Sequence, residues 1–168
     1  IERIRVGTFE LAARLNRTDP STLMQAQFSM PYVVAAALVD GTVDLRTFEP
    51  GHLHDGAVRA LAERVEVYVD DEAQHAYPRE RAAALELTTT SGTVLRARVD
   101  HPLGEPANPL SDADIEAKFR NLAGPVLDGG RVEEALEQAW RGNDLSALTS
   151  ALAEDGSAAP HAATERTE

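Results

Sequence analysis

A long apolar run near the start of the chain predicts a helix from about Met30 to about Asp40. Ser29 precedes the run as a cap whose hydroxyl accepts from the first turn, and Gly41 follows as the left-handed residue that ends a helix. Ser29 and Tyr32 are three residues apart, so they share one side of the first turn. A hydroxyl and a phenol at a helix N-terminus suit an anionic ligand, although a cap and a core tyrosine are the ordinary interpretation.

Alternating apolar and polar residues predict four strands. The first covers about residues 2–8, the second 65–69, and the last two form a hairpin over about 83–99 that turns at Ser91-Gly92. The predicted fold class is α+β: a small, mainly antiparallel four-stranded sheet with helices on one face.

The remaining segments are predicted from turn and capping signals. Asp19 is a candidate cap, with Pro20 opening a short helix into Ala26, and residues 70–75 have the composition of a polar loop.

The last third of the chain is predicted to consist of helices and a tail. Residues 111–114 approximate a capping box and open a helix that stops at Gly124. Further helices are expected at about 131–141 and 144–153, followed by a disordered tail over residues 155–168.

Composition excludes several classes of function. The net charge of -12 argues against general nucleic-acid binding, which needs clustered cations. With no cysteine, the chain can form no disulfide and no thiolate site. No apolar run approaches the ~20 residues that cross a bilayer, so we expect a cytoplasmic protein without membrane partners. His52 and His54 stand beside Asp55, but two histidines without a defined third ligand favour a solvated loop over a metal site.

Two motifs resemble the MmgE/PrpD family. The first motif is Phe28-Ser29-Met30-Pro31-Tyr32-Val33-Val34, followed by Leu38-Val39-Asp40-Gly41. The second motif is Pro102-Leu103-Gly104, Pro106, Asn108-Pro109-Leu110-Ser111-Asp112 and Lys118-Phe119-Arg120. The similarity extends over roughly residues 1 to 150. It implies the carboxy-terminal part of a larger enzyme: a lid-like domain over residues 1–105, and helices over 106–154 that pack on a helical domain or subunit outside this chain.

The resemblance also implies chemistry and partners. Family members dehydrate 2-methylcitrate or decarboxylate cis-aconitate without an iron–sulfur cluster, so we expect a lyase acting on a small polycarboxylate, with no cofactor or metal. The full enzyme is expected to be a homodimer of propionate metabolism, and the isolated chain is expected to be inactive.

Four residues are the candidate site. Tyr32 carries over as a catalytic proton donor, because a phenol with an ordinary pKa near ~10 keeps its proton at neutral pH. Ser29 carries over as a substrate contact. Arg17 is a candidate for a substrate carboxylate, and Gln27 stands where many relatives have a basic residue, so the substrate preference is expected to differ or binding to be weaker.

Other interpretations stay open. Within the family, 2-methylcitrate dehydration leads, with cis-aconitate decarboxylation or an isomerase or epimerase activity as alternatives. The alternative from a different functional class is a non-catalytic lid subunit that binds a helical partner.

Overall fold

A computed structural model describes residues 1–142 and 144–153. The chain forms two compact units, one from Ile1 to Pro109 and one beginning at Leu110. The predicted tail over residues 155–168 lies outside the described residues.

The first unit contains all four strands of the described residues and five α-helices. The strands are β1 (Arg3–Thr8), β2 (Val65–Val69), β3 (Ala83–Thr88) and β4 (Val94–Val99). The helices are α1 (Glu10–Ala13), α2 (Leu23–Gln27), α3 (Met30–Asp40), α4 (Gly56–Ala62) and α5 (Asp71–Ala76), with 3₁₀ turns at Leu45–Phe48 and His52–His54.

The four strands form one sheet in the order β2-β1-β3-β4. The pairs β1·β3 and β3·β4 are antiparallel, and β1·β2 is parallel. Parallel strands need a long crossover, which here consists of α1 to α4. The predicted α+β class with a mainly antiparallel sheet is therefore confirmed.

The register places most apolar residues of the strands on one face, with Val94 and Ala84 on the other. The core between this face and the helices consists of Ile4, Val6, Val65 and Leu87. Met30 and Val34 of α3 pack against it. The helical layer leaves β4 uncovered on this same face, where Leu95 and Val99 are 56% and 50% exposed.

A second core lies on the other side of α3, within the helical layer. It consists of Ala26, Tyr32, Ala35, Ala36, Leu53, Val58 and Ala62. Because α3 touches the sheet with one face and its neighbouring helices with another, it is apolar nearly all round. This double packing fixes where the Tyr32 side chain lies.

Two predictions in the first unit were wrong. The cap of α2 is Thr22, whose side chain accepts from Gln25 N, and the helix begins at Leu23 rather than at Pro20. Residues 70–75, predicted as a loop, form the cap and most of α5, because Asp70 accepts from Ala73 N. In both places a short polar side chain that is also typical of turns caps a helix.

The second unit contains α6 (Asp112–Ala123), α7 (Gly129–Arg141) and α8 (Leu145–Leu152). The predicted capping box is confirmed, since Ser111 and Asp114 each accept from the other's backbone N–H. Arg120 of α6 donates to Glu133 of α7 at 2.7 Å. Trp140 and Leu145 remain 53% and 76% exposed. None of the described helices is long and apolar enough to span a bilayer.

The cap of α4 gives a pH-dependent prediction. Asp55 accepts from Ala57 N and Val58 N, and these bonds hold its pKa below the ordinary 3.8. A carboxyl whose pKa is lower in the folded than in the unfolded protein stabilises the fold at pH values above the unfolded-state pKa. This stabilisation is lost as the pH falls through the folded-state pKa. Asp55→Ala should therefore lower Tm at neutral pH, and the difference from the unmodified chain should shrink on acidification.

Thermal unfolding of Asp55→Ala at pH 7 and at a pH well below 3.8 measures this effect. Glu63→Ala, at the exposed end of the same helix, is the control and should show no such pH-dependent gap. An Asp55→Ala deficit of the same size at both pH values would contradict the prediction.

Candidate active site

Ser29 holds the entrance of α3 with both of its hydrogen-bonding functions. Its Oγ accepts from Tyr32 N at 3.0 Å and donates to the Arg17 carbonyl at 2.5 Å. The residue is 1% exposed. The predicted cap is therefore confirmed, and the same hydroxyl ties the preceding loop to the helix.

The Tyr32 side chain is fully buried, and its hydroxyl has two partners. Oη lies 2.5 Å from the Thr47 carbonyl and 2.8 Å from His52 Nδ1. The ring packs beside Phe48 and meets the His52 ring edge to face at 6.2 Å between centroids. The phenol is therefore oriented by contacts at its oxygen and along its ring.

His52 connects this phenol to a carboxylate. Its Nε2 lies 2.8 Å from Asp40 Oδ2, at the last residue of α3. The side chains of His52 and Asp40 are 19% and 30% exposed. Tyr32, His52 and Asp40 thus form a hydrogen-bonded chain, which we call the Tyr-His-Asp chain, from the buried phenol to a partly exposed carboxylate.

The Asp40 end of the Tyr-His-Asp chain opens into a cleft of about 340 Å³. The cleft is lined by Asp40, Thr42, Asp44, Arg46, Thr47 and His52. Both partners of the Tyr32 hydroxyl are among these residues, so the phenol lies directly behind the cleft wall. Small polar ligands bind in clefts of this size range with a few placed polar groups.

The environment of Tyr32 keeps its proton in place. The pKa of Tyr32 is raised above its ordinary 10.0. Burial is the largest cause, and the negative charges of Asp40 and Asp55 raise the pKa further. The hydroxyl therefore keeps its proton at neutral pH, where it can donate a proton but cannot act as a base.

The four residues predicted from sequence occupy two places. Ser29, Gln27 and Arg17 cluster near the start of α3, where Gln27 is exposed and Arg17 pairs with Asp19 at 3.6 Å. The Tyr32 hydroxyl lies instead behind the cleft wall, against Thr47 and His52, and none of the four predicted residues is itself a lining residue of the cleft. Their roles in substrate binding stay predictions.

Comparison with known proteins shows the family of this chain. The family model described as MmgE/PrpD C-terminal domain matches residues 1–142. The chain belongs to the MmgE/PrpD family. The matched region includes the first unit with its complete Tyr-His-Asp chain, and it continues to the glycine that ends α7.

Two curated relatives of this MmgE/PrpD chain are cis-aconitate decarboxylases. The human protein is 28% identical over 148 residues, covering 82% of this chain and 29% of the relative. The mouse protein is 28% identical over 131 residues, covering 78% of this chain and 27% of the relative. The chain thus spans less than a third of the length of these proteins.

Sequence reasoning missed His52, Asp40 and Thr47. His52 was expected in a solvated loop, but it lies against Tyr32 and Asp40, while Asp55 caps α4. Among the described residues, no three His, Asp or Glu side chains are grouped to hold a metal ion. The sequence carries no local signal for these contacts, since His52 stands 12 residues beyond Asp40 and 20 residues beyond Tyr32.

Proposed function

We propose that this chain is the carboxy-terminal domain of a lyase that acts on a small polycarboxylate. The observation that carries the proposal is the family match over residues 1–142, and the two curated relatives are named as lyases of this kind, cis-aconitate decarboxylases. In this proposal the catalytic site is completed by a helical domain or subunit outside this chain, and the full enzyme is a cytoplasmic homodimer.

The Tyr-His-Asp chain supports this function. Removing water or carbon dioxide from a carboxylate substrate needs a proton donor in a fixed position. Tyr32 is a protonated phenol held beside a cleft, and His52 connects it to a carboxylate. Tyr32 is the proposed donor, and Ser29, Gln27 and Arg17 are proposed to contact the substrate from the entrance of α3.

Two alternative substrates of the proposed lyase are favoured by different observations. The leading proposal, which follows from the family resemblance of the motifs around Tyr32, is dehydration of 2-methylcitrate, a reaction of propionate metabolism. The names of the two curated relatives favour decarboxylation of cis-aconitate. The neutral Gln27 near the entrance favours a substrate whose carboxylates are bound mainly by residues outside this chain.

Product analysis of the native gene product separates these reactions. The intact mass under denaturing conditions first establishes which polypeptide carries this chain. The purified protein is then given 2-methylcitrate and cis-aconitate separately, and loss of water and release of carbon dioxide are measured by mass spectrometry. Dehydration of 2-methylcitrate supports the leading substrate, and carbon dioxide released from cis-aconitate supports the second.

A folded, full-length protein that converts neither compound contradicts both substrate assignments. If the native gene product has only the mass of this chain, 18.1 kDa, and is inactive alone, the lid-subunit interpretation gains support. Adding a separately encoded helical partner should then restore lyase activity.

A further inference from the structure

With Asp40 ionised, the hydrogen-bond donors and acceptors around Tyr32 allow only one complete assignment. The Thr47 carbonyl can only accept, so the Tyr32 hydroxyl at 2.5 Å donates its single proton to it. That proton is then unavailable to His52, and the contact between Oη and Nδ1 at 2.8 Å requires a proton on Nδ1. The Asp40 carboxylate also accepts, so Nε2 carries a proton as well.

We propose that His52 is the positioning residue of Tyr32, held by Asp40 as an imidazolium that donates Nδ1–H to the phenolic oxygen. This inference rests on the proposed function for the role of Tyr32 in turnover. The direction of the hydrogen bonds concerns the protein without substrate and does not depend on that role.

The positioning has a chemical consequence. When a ligand atom in the cleft replaces the Thr47 carbonyl as acceptor, the O–H bond of Tyr32 breaks and the proton passes to that ligand atom. The electron pair stays on the phenolic oxygen, where the N–H of His52 stabilises the phenolate. His52 thereby offsets the burial and the carboxylates that otherwise oppose loss of the proton.

The surroundings of His52 match a cation in this position. Asp40 at the end of α3 binds it directly, with 2.8 Å between Nε2 and Oδ2. Arg46 and Asp44 line the same cleft and pair with each other at 2.7 Å. The local charges of His52 and Arg46 are therefore matched by carboxylates.

The direction of donation is tested by nitrogen NMR of the full-length protein labelled with ¹⁵N-histidine. The resonances of His52 are assigned by their loss in His52→Asn. At neutral pH both ring nitrogens should carry protons, and Tyr32→Phe should shift Nδ1 more than Nε2. A neutral ring with a bare Nδ1 would overturn the proposal, because Tyr32 would then donate to His52.

The positioning role is tested by two substitutions that each keep one nitrogen. Asn places its amide near Nδ1 and can still donate to Tyr32, whereas Gln places its amide near Nε2 and can still reach Asp40. We expect His52→Gln to lower kcat about tenfold more than His52→Asn, with little change in KM, because the bond acts when the phenolate forms. His54→Gln, at the exposed neighbouring histidine, is the control and should leave turnover unchanged.

The outcomes separate this inference from the proposed function. Equal losses in His52→Gln and His52→Asn would overturn the positioning role. Unchanged turnover in Tyr32→Phe, together with a doubly protonated His52, would instead remove Tyr32 from the lyase mechanism and leave the hydrogen-bond direction standing.

Discussion

Changing Tyr32 to Phe in the full-length protein is expected to slow turnover by about a hundredfold, the lower range for loss of a general acid. The substitution removes one oxygen, which is the acceptor for His52 and the donor to Thr47. The ring, with its contacts to Phe48 and His52, stays in place. The loss should fall on kcat, since proton donation occurs only as the substrate reacts.

The measurement compares steady-state turnover of Tyr32→Phe with that of Tyr68→Phe. Tyr68 lies on the opposite face of the sheet, where Arg5 stacks over its ring at 4.5 Å, and its hydroxyl is remote from the cleft. Both variants should remain folded at the assay temperature, as checked by thermal unfolding. If the two variants turned over substrate equally fast, Tyr32 would have no part in the chemistry.

Changing Ser29 to Ala is expected to lower the free energy of unfolding by about 2 kcal/mol. Loss of a helix cap costs about 1 kcal/mol, and loss of a further hydrogen bond costs a similar amount. Ser29 makes both bonds: its Oγ accepts from Tyr32 N and donates to the Arg17 carbonyl, and the residue is 1% exposed.

Thr22→Ala is the matched control for this experiment. Thr22 caps α2 in the same unit, but it is exposed and its hydroxyl makes only the capping bond among the described hydrogen bonds. Its removal should cost about half as much, close to the usual value for one cap. Urea unfolding of both variants gives the comparison, and equal losses would show that the bond to Arg17 contributes nothing.

The strongest sequence signals lay in elements whose ends are marked by local chemistry. The boundaries of α3 follow from the Ser29 cap and from Gly41, whose φ is 75°, because both act through neighbouring backbone groups. The hairpin of β3 and β4 follows from alternation on either side of Ser91-Gly92. Such features depend on a few adjacent residues and can be predicted without the fold.

Features that depend on distant contacts could not be predicted in this way. The short helix α5 consists of residues that are also typical of loops, and a distant residue contacts it, since Glu10 N donates to Gln74 Oε1 at 2.7 Å. The contact of His52 with Tyr32 joins residues 20 positions apart, and it exists because the 3₁₀ turn of His52 packs against α3. No local periodicity marks that histidine, so its role emerges only from the tertiary structure.

The middle position of β1 determines when this domain can fold. β1 is made first, but its neighbours in the sheet are β2 and β3, which end at Val69 and Thr88. Bringing such distant segments together is slow, because the entropy of closing the loop is lost before the contacts form. During synthesis, α3 can form early from local signals, whereas β1 keeps both edges unpaired until much of the first unit has been translated.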